Sequence, residues 1–123
     1  MALSYVLDEH LRRSALGQAI HCHNATGIFV IDVVQVGDPV DLPLGSTDPD
    51  ILLWAEKEDR VVVTRDYNTM PGHLAAHLQA GHHCAGVFII RPHATIPQII
   101  DYLVLAAYTT DPALLRDHYE FIP

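Results

Sequence analysis

The chain has almost no lysine. Of its seven basic residues only Lys57 is one, the others being Arg12, Arg13, Arg60, Arg65, Arg91 and Arg116, against 15 acids and a net charge of −8. That balance excludes the broad basic surface with which most nucleic-acid-binding proteins hold phosphates, although arginine suits bidentate phosphate contact better than lysine does. Cysteine is scarce as well. Cys22 and Cys84 are too few for a secreted disulfide framework and are expected as free thiols. No run reaches the roughly 18 apolar residues of a membrane span, and the N-terminus lacks a basic stretch followed by an apolar one. A cytoplasmic protein with no membrane association is expected. There is no Gly-x-Ser-x-Gly elbow or Cys/His motif on a strand end, which leaves the common nucleophilic hydrolases aside. Repeats, linkers and low-complexity stretches are missing too, so 123 residues at 50 % hydrophobic content read as one domain, 1–123.

What is present is organised around Arg60-Val61-Val62-Val63-Thr64-Arg65-Asp66, an apolar β-branched run that ends in a carboxylate. Such a run reads as a strand buried on both faces of a parallel sheet, with Asp66 at its C-terminal mouth. Leu3-Ser4-Tyr5-Val6-Leu7-Asp8-Glu9 has the same form. As neighbours, the two strands would lie about 4.8 Å apart and bring Asp8 and Asp66 to one crevice. Two like charges roughly 4 Å apart at an effective dielectric of about 20 repel by about 4 kcal/mol. A divalent cation is the simplest relief.

In order along the chain, Leu11, Ala15, Leu16, Ala19 and Ile20 predict a helix over 9–20, and 21–27 a polar turn. Ile28 to Val34 predicts a second strand, with Asp32 placing it near an edge. The glycines and prolines of 35–47 predict a long loop of the kind that carries function. Asp48 is expected to cap the next helix, with Pro49 at its first position, Asp50 in its first turn, and Ile51, Leu52 and Ala55 inward. After the valine strand, Leu74, Ala75 and Leu78 predict a helix that stops at Gly81. A fourth strand follows at 86–90, then a helix capped by Thr95, with Ile96, Ile99, Ile100, Leu103 and Ala107 at helical spacing, and a short terminal strand at 118–122 placed beside the fourth. Alternating strands and helices imply an α/β, three-layer Rossmann-like domain: a mostly parallel sheet of four to five strands, order 2-1-3-4 with the short terminal strand, and helices on both faces. Ligands bind such sheets where the strand order reverses, here beyond Asp8 and Asp66.

Asp48 would join these two acids from the end of the long loop. Three carboxylates are hard oxygen ligands suited to Mg²⁺ or Mn²⁺, which can generate hydroxide and orient a phosphodiester. The blocks Leu7-Asp8-Glu9-His10-Leu11, Thr47-Asp48-Pro49-Asp50-Ile51-Leu52 with Ala55-Glu56, Arg60 to Asp66, and Gly86-Val87-Phe88 together resemble the compact PIN-like proteins, small bacterial relatives of the PIN ribonucleases and of toxin-antitoxin toxins. The resemblance covers nearly the whole chain. It implies a PIN-like fold, a metal-dependent nuclease site with Asp8, Asp48 and Asp66 at the matching positions, RNA as substrate, single-stranded or structured, and a toxin role opposed by a cognate antitoxin; a homodimer is a further expectation. Where many members carry a second aspartate and a phenylalanine two and three residues after the strand-end acid, this chain has Asn68 and Thr69. Asn68 would complete the metal shell with a neutral oxygen.

Each residue also has a plainer role. Asp48 is explained by capping, and Glu9 and Asp50 by the favourable field of a helix start. Arg65 suits a structural ion pair as well as a phosphate, and Arg12 and Arg13 suit solvent as well as substrate. Thr64 can hydrogen-bond at the sheet's mouth. His21-Cys22-His23 and His82-His83-Cys84 are rich in zinc-type ligands but lack paired finger spacing, so exposed imidazoles are expected. A phosphorylation receiver domain shares the paired acids but needs a late strand-end lysine, and none exists here. The serious alternative is a PIN-like module that binds a partner without catalysis.

Overall fold

The computed structural model describes residues 2–123. Five strands, β1 (Ser4–Leu7), β2 (Asp32–Gln35), β3 (Val61–Thr64), β4 (Val87–Ile90) and β5 (Tyr119–Ile122), form one sheet in the order β2-β1-β3-β4-β5, all parallel. The expected order is borne out, and the terminal strand extends it beside β4. Five helices connect the strands: α1 (Leu16–Ala25), α2 (Asp48–Glu58), α3 (Met70–Gln79), α4 (Ile96–Thr109) and the short α5 (Pro112–Leu115).

Strand alternation divides the core in two. Tyr5, Leu7, Val61, Val63, Phe88 and Ile90 face the layer of α1 and α4, while Val6, Val62, Val87 and Ile89 face that of α2 and α3. Every residue of β3 and β4 is buried. Each such valine contributes about 1.5–3 kcal/mol of burial, which is why a run without polar alternation takes the sheet's middle. Asp32 lies on the edge strand, as expected, and Arg60 grips it bidentately at 3.0 and 3.1 Å while also donating to the Tyr5 carbonyl at 3.0 Å.

Several local expectations are corrected. Residues 9–20 do not form one helix: a 3₁₀ turn spans Glu9–Arg13 and α1 begins only at Leu16. Ser14 breaks the run because its hydroxyl donates to Leu11 O at 2.7 Å and accepts from Leu16 N at 3.2 Å, competing with the helical ladder. His21, Cys22 and His23 consequently fall within α1 rather than a turn. The second strand starts at Asp32, not Ile28. Phe29 holds a left-handed φ of 49°, and Asn24 clamps Ile31 through both amide atoms at 2.9 and 3.0 Å, so Ile28, Phe29 and Val30 form an exposed loop. Asp48 is not the cap of α2. Thr47 is, in a reciprocal box with Asp50 at 3.3 and 3.4 Å, and Asp48 stands at the first helical position with its carboxylate released from that duty. On α3 Met70, Leu74 and His77 are buried and Leu78 packs against the core as expected, whereas Ala75 is exposed.

Candidate active site

The reversal of strand order between β1 and β3 places two strand ends side by side. Leu7 pairs in register with Val63, and Asp8 N donates to Val63 O at 3.0 Å, so the chain leaves both strands at the same edge. Asp8 is buried, 6 % exposed, and Thr64 is wholly so. The Thr64 hydroxyl donates to Asp8 Oδ2 at 2.9 Å and accepts from Asp66 N at 3.1 Å. One buried hydroxyl thereby couples the first acid to the backbone of the second. Asp8 Oδ1 accepts no hydrogen bond among the described residues and is not sealed from solvent.

Asp48 approaches from the start of α2. Burial raises its pKa above the ordinary carboxylate range, the Asp8 charge raises it further and Asp66 adds to the push, while His73 and His10 pull the other way. Asp48 thus lies within the field of both Asp8 and Asp66. Neither histidine was anticipated. His73, one turn into α3, holds Nε2 3.7 Å from Asp48 Oδ2, and His10 follows Asp8 by two residues. Only the packing of α3 against α2 puts His73 there; no spacing in the chain signals it.

Asp66 is engaged by its own turn. Oδ1 accepts from Asn68 N and Thr69 N at 3.1 and 3.0 Å, and Oδ2 accepts from the Thr69 hydroxyl. The Thr69 side chain is the largest of the causes that hold its pKa low; burial opposes it, and the backbone N–H groups of Thr69 and Asn68 and the nearby His73 lower it further. Since the folded value lies below the unfolded one, this stabilisation is present above the ordinary carboxylate range and is lost as pH falls through the folded value. Thr69→Ala is therefore expected to cost about 0.5 kcal/mol near neutral pH, the low end for a charge-assisted bond at a largely solvated acid. Urea denaturation at neutral and acid pH checks it: the difference from wild type should vanish in acid.

The remaining sequence candidates fall around this centre. Glu9 accepts from Gly45 N and ties down the long loop, at a glycine whose φ of 85° other residues adopt only with strain. Arg12 donates to Asp38 at 2.8 Å and to Val36 O at 3.3 Å, pinning the same loop. Arg13 is exposed with no acidic partner among the described residues, and with Glu9, His10, Arg12 and Leu44 it lines a cleft of about 370 Å³ beside Asp8. Asp50 serves the Thr47 box, Arg65 and Asn68 are exposed beside Asp66, and Thr64 is the bridge already described.

The two histidine–cysteine groups do not meet. His21-Cys22-His23 lies on α1 in one helical layer, and His82-His83-Cys84 belongs with the α2–α3 layer across the sheet. His82 pairs with Glu56 at 3.0 Å and His83 with Asp117 at 3.0 Å, while buried Cys84 has its thiol pushed up to about 11 by burial.

No three His, Cys, Asp or Glu side chains among the described residues form a ready-made metal cage. Both Asp66 oxygens are engaged by the turn that follows them. The donor chemistry nonetheless fits a hard divalent cation: an open oxygen on Asp8, an Asp48 carboxylate whose pKa is raised by burial and by the neighbouring acids despite His73 and His10, and no arginine or lysine paired with any of the three acids among the described residues. No helix among the described residues is long and apolar enough to cross a membrane. Comparison with protein-family models, with curated proteins and with solved structures finds no match to the chain.

Proposed function

We propose that this chain is a PIN-like, Mg²⁺- or Mn²⁺-dependent endoribonuclease, acting as the toxin of a toxin-antitoxin pair. The observation that carries the reading is the trio Asp8, Asp48 and Asp66 at the reversal point of the sheet, with no arginine or lysine paired with any of them among the described residues and with the His73 imidazole approaching Asp48 at 3.7 Å. Bound there, the cation would supply a polarised water and charge relief at the scissile phosphate. Asp8 and Asp66 supply the anionic oxygens that hold it, and Asn68 adds a neutral one. Asp48, with its raised pKa, is suited to take a proton from the attacking water, since a base works best when its pKa approaches the working pH. Arg13 and His10 line the adjoining cleft and are placed to meet the phosphate backbone, so a protein of net charge −8 need not carry a wide basic surface.

Purified protein is expected to cut single-stranded RNA when Mg²⁺ or Mn²⁺ is present and to stop when the metal is chelated. Gel analysis of several RNAs with each metal is the measurement. A second reading, a partner-binding module without catalysis, is favoured by Asp66's engagement with its own turn and by Asn68 standing where an acid is expected. A folded protein that leaves every RNA intact with either metal would decide for it.

A further inference from the structure

Five aromatic side chains are exposed: Phe29, Tyr67, Tyr108, Tyr119 and Phe121. Four of them form pairs, Phe29 with Tyr108 at 5.4 Å and Tyr119 with Phe121 at 6.0 Å between ring centroids. Tyr67 stands alone. It is 52 % exposed, its phenol has no hydrogen-bond partner among the described residues, and it follows Asp66 directly in the chain. The turn that presents it is ordered. Tyr67 N donates to Arg65 O at 3.0 Å, and Asp66 closes the next two residues through the bonds to Asn68 and Thr69. Arg65, two residues earlier in the chain, is exposed and without an acidic partner among the described residues, and Asn68, the next residue, is exposed as well.

We propose that Tyr67 is the stacking platform for an unpaired base next to the scissile phosphate, and that the site therefore selects single-stranded RNA over duplex. The inference rests on the ribonuclease reading of the site and specifies its substrate. Bases in a duplex are already stacked and cannot present a face to a ring, whereas an unpaired base can, with any sequence. The hydrogen-bonded turn fixes the backbone from which the ring projects, which lowers the ordering cost left for binding. Arg65 suits the phosphate next to the stacked nucleotide, and Asn68 can donate to or accept from a base edge. The cleft lined by Glu9, His10 and Arg13, the residues that follow Asp8, would receive the strand's continuation.

The test uses a short mixed-sequence RNA, free or annealed to its complement, with wild type and full-length Tyr67→Ala, Tyr67→Phe and Tyr67→Trp; binding is read by fluorescence anisotropy and cleavage by gel. Tyr67→Ala is expected to weaken single-strand binding and to raise KM by about tenfold or more, affecting kcat less, while Phe and Trp retain affinity because the ring suffices. Duplex binding should move far less. Equal losses on both forms, or no loss with Ala, overturn the inference while leaving the nuclease reading intact. Tyr67-dependent single-strand binding without cleavage under either metal supports the inference and removes the nuclease reading. A wild type that neither binds nor cuts RNA overturns both, and circular dichroism of each variant ensures that binding losses are scored on folded protein.

Discussion

Asp8→Asn is expected to lower metal-dependent cleavage by roughly 10²- to 10³-fold, the scale on which losing a single charge-stabilising group slows a reaction. The substitution is close to isosteric. An amide oxygen can still accept from the Thr64 hydroxyl, so the buried bond at 2.9 Å survives and only the charge goes. Without metal, the variant should be more stable than wild type, because Asp48 no longer faces the Asp8 charge that helps raise its pKa. The pH dependence follows in sign. In wild type the folded state holds the Asp48 proton to higher pH than the unfolded chain does, so metal-free stability grows as pH falls through the folded value. Asp8→Asn should flatten that growth. Mg²⁺ or Mn²⁺ should raise the wild-type Tm by mass action and raise that of Asp8→Asn much less. Thermal unfolding across pH, with and without metal, beside cleavage rates, checks all four. An Asp8→Asn protein that cuts RNA at the wild-type rate would remove Asp8 from the site.

Thr64→Val carries the second large effect. Valine matches threonine in shape but replaces the hydroxyl that joins Asp8 Oδ2 to Asp66 N. Both partners would lose that bond at a position wholly shielded from solvent, at a cost of about 1–3 kcal/mol. In a domain of this size that corresponds to a Tm lower by about 5–15 °C. Activity should fall further than stability requires, by about 10- to 100-fold, as when the partner that orients a metal ligand is removed. Thr64→Ser keeps the hydroxyl and should recover most of the activity, which separates the bond from the packing of the methyl group. Calorimetry and initial rates on the two variants give the comparison.

Thr64 also illustrates where sequence reading stops. Three valines followed by a threonine announce a buried strand with a polar end, but the partners of that hydroxyl come from residues 8 and 66, and only the pairing of β1 with β3 brings them together. The same holds for Asp48. Its neighbourhood of Ser, Thr, Asp and Pro marks a helix start without saying which side chain caps it, and a Thr47–Asp50 box is as consistent with that pattern as an Asp48 cap. Ser14 and Asn24 defeated the periodicity of their segments for a related reason, since short polar side chains can capture the backbone and end a regular element that apolar spacing alone would continue. His73 lies outside any motif and reaches Asp48 only because α3 lies beside α2.

The order of elements, the parallel sheet, its reversal between the first and third strands and the arrival of Asp8 and Asp66 at one edge were all set by the linear pattern: continuous apolar runs become strands covered on both faces, and parallel strands require crossovers of one hand. Tertiary structure alone decided which acid is buried, that the Thr64 hydroxyl joins Asp8 to Asp66, and that His73 reaches Asp48. The physical reason is range. Burial patterns repeat every two or three to four residues and are written into the chain locally, whereas hydrogen bonds and charge repulsion join atoms brought near each other only after the sheet has formed.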